Sequence, residues 1–271
     1  MMNAHAQTVQ ERFSREAGNW NGLYDQTPTR SIYTHNVRHR KAQALELLAG
    51  TTGRVLEIGC GAGNVILAAP EELETIGVDF SVEILRQAKV NSGERDSEFL
   101  AADALSLPFA DDSFDAIICL GLLDYITNYR SVLEGCHRIL RPGGPLIVSV
   151  PNLTSPFIRI DDFGFSLKNR ITHSLPDRLR TWLKTQVMGK DDKPYFSHRK
   201  QRYNPAVFTQ NLDSIGFDID QTYYHTYGFG LLNGISLNLK VSRQIESRNR
   251  SKTLEKLGWT YILKATKSPQ Q

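Results

Sequence analysis

Apolar residues fall along the chain in short runs broken by glycine, proline and polar turns. Arg54–Ile58, Thr75–Asp79, Glu98–Asp103, Phe114–Leu120 and Pro145–Val150 read as five strands, the fourth almost wholly apolar. Helical spacing separates them: Val37, Ala42, Ala44, Leu45, Leu47 and Leu48 mark a helix over 31–49, closed by Gly50 and Gly53. Val65–Ala69 predicts a helix after the first strand, Ser81 caps one over 82–88, and 130–140 forms another, stopped by Pro142-Gly143-Gly144. Continuous apolar strands alternating with helices predict a parallel sheet covered on both faces. After Val150 the rhythm breaks, and 151–202 mixes proline, aromatic and basic residues. It resumes with a helix from Pro205 to Ile215, ended by Gly216, and with strands at Phe217–Ile219 and Thr260–Ala265.

These elements predict an α/β fold: a Rossmann-like, doubly wound, seven-stranded, mostly parallel sheet, with an N-terminal helical segment and an insertion after the fifth strand. Four stretches follow: a lid segment over 1–50, a core over 51–150, a basic and aromatic substrate-side insertion over 151–202, and the rest of the same sheet over 203–271.

Charge sharpens this division. The 271 residues carry a net +3. The core carries −8 and the stretch 151–202 carries +6, an asymmetry that speaks of partners rather than fold. Arg178, Arg180, Lys184, Arg199 and Lys200 interleave there with Trp182, Tyr195 and Phe196. Such a stretch suits a cover for an acidic or apolar metabolite, and RNA or DNA as the alternative partner. Because loops after parallel strands lie at the ligand edge, the cover is the favoured reading and nucleic acid is not expected.

No apolar run of about 18 residues predicts a membrane span, and Met1–Gln7 has no secretory pattern. Cys60, Cys119 and Cys136 are too scattered for a disulfide framework or a cysteine-rich zinc site. They read as packing residues of a protein in a reducing cytoplasm, with no metal indicated.

Chemistry gathers around Gly59-Cys60-Gly61-Ala62-Gly63, directly after the first strand. Glycines there let the backbone turn sharply and approach a ligand. The spacing differs from the G-x-G-x-x-G of nicotinamide and flavin binders. Glu57, Asp79 and Asp103 close three strands that converge on one crevice. A buried carboxylate at Glu57 is costly unless it meets a cation, such as the ammonium of a bound amino acid. Asp79 is placed for ribose hydroxyls, and Asp103 for an adenine amino group. Together these describe S-adenosylmethionine (SAM).

Val55–Asn64 resembles the first motif of the class I SAM-dependent methyltransferases, and Gly77–Ser81 the second. Ala102–Asp115 is similar to the ubiquinone/menaquinone-biosynthesis type, and Arg138–Gly144 to the turn before the fifth strand. The resemblance implies a SAM-dependent methyltransferase. It implies main-chain contacts from Gly59, Gly61 and Gly63 to the methionine part, Asp79 on the ribose and Phe80 beside the adenine. Asp103 and Ala104 fall at the adenine edge, Leu120 at the methionine end, and Arg38, with Arg40 and Lys41 as competitors, at the SAM carboxylate. Relatives often carry a His or Glu after the fourth strand. Here Asp124 and Tyr125 stand in that region, so no catalytic residue is assigned. His173, His198 and His225 fall in the substrate-side part, where a general base would act.

The expected acceptor is a small hydrophobic or anionic metabolite, methylated on oxygen first and carbon second. Tyr195, Tyr203, Phe208, Tyr223, Tyr224, Tyr227 and Phe229 are its candidate pocket. A nucleic-acid methyltransferase and a non-catalytic SAM-binding module are the alternatives.

Overall fold

The computed structural model describes Tyr24, Thr29 and residues 31–173, 201–232, 236–248 and 255–269. A helix α1 (Ile32–Leu48) precedes strand β1 (Arg54–Ile58). Then follow β2 (Glu74–Asp79), α2 (Val82–Ser92), β3 (Ser97–Ala101), β4 (Ala116–Leu120), α3 (Tyr129–Ile139) and β5 (Pro145–Pro151). Beyond them lie α4 (Pro156–His173), α5 (Pro205–Ile215), β6 (Phe217–His225), α6 (Ser236–Arg248) and β7 (Thr260–Lys267). The seven strands form one sheet in the order β3-β2-β1-β4-β5-β7-β6. β1 to β5 pair in parallel, and β7 runs antiparallel to both β5 and β6.

Each central strand sends alternate side chains to opposite faces, as the pleat requires. Leu56, Ile117, Cys119, Leu146, Val148 and Leu263 pack on one face with α3 and α5. Val55, Ala116, Ile118, Ile147 and Ile262 pack on the other with Ala44, Leu47 and Leu48 of α1. Both faces are covered, which is why the central strands read as unbroken apolar runs.

The helix boundaries follow local chemistry. Ser31 caps α1 by accepting from the Thr34 N–H, and Ser81 caps α2 through Ile84. Asn204 caps α5, Pro205 occupies its first turn, and left-handed Gly216 ends it. Within α5, Phe208 is fully buried against the rings of Tyr203 and Tyr129. Phe208→Ala is expected to lower unfolding free energy by about 3–5 kcal/mol, read from the denaturant midpoint.

The structure departs from the sequence reading in five places. The helix expected at 65–69 is a single 3₁₀ turn, Ile66–Ala68, because Pro70 follows at once. β6 runs on to His225 rather than stopping at Ile219, with a bulge between Ile219 and Gln221. Helix α4 occupies part of the stretch where the rhythm breaks, and α6 a stretch for which no element was expected. The strand expected over 98–103 ends at Ala101. Most of the basic residues of 151–202 fall in 174–200, outside the described residues. Among the described residues, no helix is long and apolar enough to cross a membrane.

Candidate cofactor site

A crevice opens at the carboxyl ends of β1, β2 and β4, where the ligand edge of a doubly wound sheet lies. Gly59 and Cys60 both donate their N–H to the Val78 carbonyl, at 2.8 and 3.0 Å. This carries β1 past its end and swings the chain into the glycine turn. Gly59, Gly61 and Gly63 all have positive φ, a region that side-chain-bearing residues rarely adopt. At Gly61 the space where a Cβ would stand meets only Ile84 Cδ1, at 3.7 Å.

Glu57 is 3% exposed. It shares the face of β1 that carries Val55, the same face on which α1 packs. Its Oε2 accepts from the Ile66 N–H at 2.9 Å. Burial pushes its pKa up to about 8, against the Ile66 hydrogen bond and the charges of Lys41 and Arg40. The 3₁₀ turn thus directs a main-chain donor at the acid. Asp79 spans two turns: Oδ2 accepts from Gly61 N–H and Oδ1 from Ser81 N–H, each at 3.0 Å. Burial raises its pKa, and those backbone donors oppose the rise.

The crevice brings together Glu57, Gly59, Gly61, Asp79, Phe80, Ala104 and Leu120 of the sequence candidates. Gly63 stays outside the wall: a Cβ there would stand 2.9 Å from Leu67 Cδ1, so the residue serves the packing of the turn. Asp103 is exposed and also outside the wall, and its Oδ1 accepts from the Leu105 N–H at 2.9 Å.

Of the basic candidates on α1, Arg40 rather than Arg38 lines the crevice. Arg38 donates Nη1 to Thr29 Oγ1 at 3.0 Å, whereas buried Arg40 lines the crevice and packs its guanidinium against Gly121. Helical phase explains the exchange. Arg40 follows Val37 by three residues and precedes Ala44 by four, on the buried face of α1. Arg38 is rotated about 200° from Arg40.

The structure adds residues that the sequence reading did not assign to the site: Tyr24, Asn64, Ser81, Ile84, Leu122 and Tyr125. Tyr24 and Ile84 carried no signal, whereas Asn64 and Ser81 fall inside the two motif stretches and Tyr125 just after the fourth strand. Asp124 beside it is buried. Cys60 reaches the crevice, but burial and then Glu57 push its thiol well above the ordinary value. Burial likewise lifts Cys119 far up and Cys136 to about 12, so the three thiols are packing groups rather than nucleophiles.

Of the proposed pocket aromatics, Tyr203, Phe208 and Tyr227 belong to the buried core. Tyr203 donates its hydroxyl to the Leu123 carbonyl at 2.9 Å. Tyr195 and His198 lie outside the described residues, as does the His173 side chain. His225 is buried, and its pKa lies well below the usual imidazole range, through burial first and the neighbouring His39 second.

A sheet of this order, with a glycine turn after β1 and acids ending β1 and β2, has the class I SAM-dependent methyltransferase architecture. Residues 56–148 match the family described as a methyltransferase domain. Over this stretch, about a third of the chain, the protein is similar to methyltransferase domains.

The demethylmenaquinone methyltransferase of Deinococcus radiodurans is 34% identical over 40% of this chain and 47% of its own length. The ubiquinone biosynthesis O-methyltransferase of Xanthomonas campestris pv. campestris is 27% identical over 69% of this chain and 82% of its own length. The magnesium protoporphyrin IX methyltransferase of Synechocystis PCC 6803, solved with bound SAH, shares the fold. Its TM-score is 0.61 at 16% identity, covering 97% of this chain and 100% of that one. The chain spans about half the length of the demethylmenaquinone methyltransferases it matches.

Proposed function

We propose that the chain is a SAM-dependent methyltransferase acting on a small hydrophobic or anionic metabolite, with oxygen the first-choice acceptor atom and carbon the second. The observation that carries the proposal is the buried Glu57 set beside the glycine turn that Asp79 anchors, with Arg40 lining the same crevice.

Glu57 is assigned the ammonium of the methionine end and Arg40 its carboxylate. The main chain of Gly59 and Gly61 lies along the methionine part, with Gly63 supporting the turn and Leu120 at the far end. Asp79 takes the ribose hydroxyls, Phe80 flanks the adenine, and the Ala102–Ala104 stretch, which includes Asp103, forms the adenine edge. The segment 1–50 closes over the cofactor, consistent with Tyr24 in the crevice wall. The stretch 151–202 covers the acceptor, and 203–271 completes the sheet. The buried free thiols suit a reducing cytoplasm.

Bound SAM supplies an already activated methyl group. The protein then needs to hold the acceptor in line and exclude water. Held by Glu57, Arg40 and Asp79, SAM would supply that methyl group to an acceptor oxygen placed in line with it. A phenolate or carboxylate acceptor requires no base, so turnover of such an acceptor does not call for an acid–base pair beside Tyr125. The relatives are named for quinone biosynthesis, one of them as an O-methyltransferase, which supports an apolar, hydroxylated acceptor.

Calorimetric titration with SAM is expected to give one site per chain. Incubation with methyl-labelled SAM and fractionated lysate is expected to label a low-mass apolar or acidic fraction. Absence of binding heat would remove the cofactor half of the proposal. Label entering RNA or DNA, or no transfer despite bound SAM, would remove the small-molecule half.

A further inference from the structure

Away from the crevice, α1 carries a second constellation. His35 and His39 stand four residues apart, one turn along the helix, so their rings project from one face. Their centroids are 5.6 Å apart. Glu246 of α6, more than 200 residues further along the chain, reaches between them. Its Oε2 lies 2.8 Å from His35 Nε2 and its Oε1 3.3 Å from His39 Nδ1. The three donor positions all lie within 4.8 Å of one another.

Two imidazoles and a carboxylate are a donor set that suits zinc and its neighbours in the first transition row. Two ligand atoms each about 2 Å from one ion, at the tetrahedral angle, are about 3.3 Å from each other. The nitrogen–oxygen separations here are already of that size, so small rotations would place all three around one ion. His39 is about one-third exposed, which gives a path in from solvent.

A second observation is independent of that triad. His225, at the end of β6, is 3% exposed, and its ring packs 4.8 Å from that of His39. Its Nδ1 is 2.9 Å from Thr226 Oγ1. Its Nε2 is buried with no hydrogen-bond partner among the described residues. Leaving such an atom unsatisfied costs about 1–3 kcal/mol. Around the triad, Thr226 N–H donates to Glu246 Oε1 at 2.9 Å, which orients the carboxylate as outer-shell partners of metal ligands do.

We infer that His35, His39 and Glu246 form a binding site for a divalent transition-metal cation of the zinc class, tying α6 to α1. The site is distinct from the SAM crevice. His39 adjoins Arg40 in sequence, but Arg40 points to Gly121 at the end of β4. The inference therefore stands or falls separately from the proposed methyl transfer. Bound metal would lock together α1, which carries a crevice residue, and α6, which packs through Leu239 in an apolar cluster with Ile32, Ile158 and Trp259.

The test uses the full chain without an affinity tag, stripped with chelator and titrated with Co²⁺ and then Zn²⁺. One equivalent of Co²⁺ is expected to give the visible absorption of a low-coordinate His/carboxylate site, and Zn²⁺ to displace it. Zn²⁺ is also expected to raise the melting temperature. His39→Ala, at a partly exposed position, should fold as wild type, lose affinity by about 10-fold or more, and show no Zn²⁺-dependent rise in melting temperature. Glu246→Gln should behave in the same way. Failure of the wild type to take up either ion, or undiminished uptake by His39→Ala, would overturn the site and leave the cluster as a hydrogen-bond network only. SAM titration of the same preparations reports on the crevice independently.

Discussion

Asp79→Ala is expected to weaken SAM binding by about 10²–10³-fold while leaving the protein folded. The carboxylate accepts backbone N–H groups from Gly61, Ser81 and Phe80, and the proposal gives its remaining lone pairs to the ribose hydroxyls. Hydrogen bonds to a charged group contribute about 1.5–3 kcal/mol each, and two lost at the ligand, each near the lower end of that range, correspond to about that fold-change. Asp79→Asn separates the two duties. It keeps one acceptor oxygen for the turn but presents an amide to the other partners, so its loss should be intermediate. Calorimetric titration of the three proteins reads the series. Equal affinity across all three would remove Asp79 from the cofactor site and, with it, the reading of the glycine turn as a cradle.

The sites differ in how far the sequence alone could show them, and the difference has a physical basis. Glu57 and Asp79 were legible because the ligand edge of a parallel sheet is sequence-local. Each strand ends where its apolar run ends, and the next residue faces the crevice. The central strands were legible for the related reason that both faces are buried. β6 was cut short because it is an edge strand whose outer positions, such as Asp218, Asp220 and Gln221, meet solvent. Its bulge at Ile219/Gln221 also breaks the alternation that marks a half-buried strand. α6 buries only Leu239, Asn238 and Ser242 in its first two turns, a stripe too narrow and polar to register as an amphipathic face. Arg40 was within reach, since it shares the helical phase of Val37 and Ala44, and phase rather than proximity to β1 decides which arginine faces inward. Tyr24 carries no comparable signal. The pairing of His35 and His39 with Glu246 is a product of tertiary folding, and only the spacing of the two histidines is visible in the chain.

Glu57→Gln should produce two opposite effects in one protein: higher stability of the unliganded form at alkaline pH, and loss of SAM affinity. The stability effect follows from burial. Glu57 titrates near 8 in the folded chain, against an ordinary value of 4.5. Between those values the folded protein keeps a proton that the unfolded chain gives up, so the folded state binds more protons and stability falls as pH rises through the window. Below about pH 4.5 a protonated Glu and a Gln are nearly equivalent, and the two proteins should melt together. Above about pH 8 the wild type must hold a buried carboxylate, and the variant is expected to be more stable by a few kcal/mol. Thermal unfolding of both proteins across this range checks the divergence.

The binding effect runs the other way. A neutral amide cannot balance the ammonium assigned to this position, and a charge interaction made in a buried setting is expected to be worth about 10²–10³-fold in affinity. The same assignment predicts a proton signature. At neutral pH, cofactor binding should drive Glu57 to ionise, so the wild type releases a proton that the buffer absorbs. The calorimetric enthalpy would then depend on the ionisation heat of the buffer in the wild type and lose that dependence in Glu57→Gln. A variant that is stabilised at alkaline pH yet binds SAM as tightly as wild type would leave Glu57 a buried acid that only braces the Ile66 turn, and the ammonium would have to be assigned elsewhere.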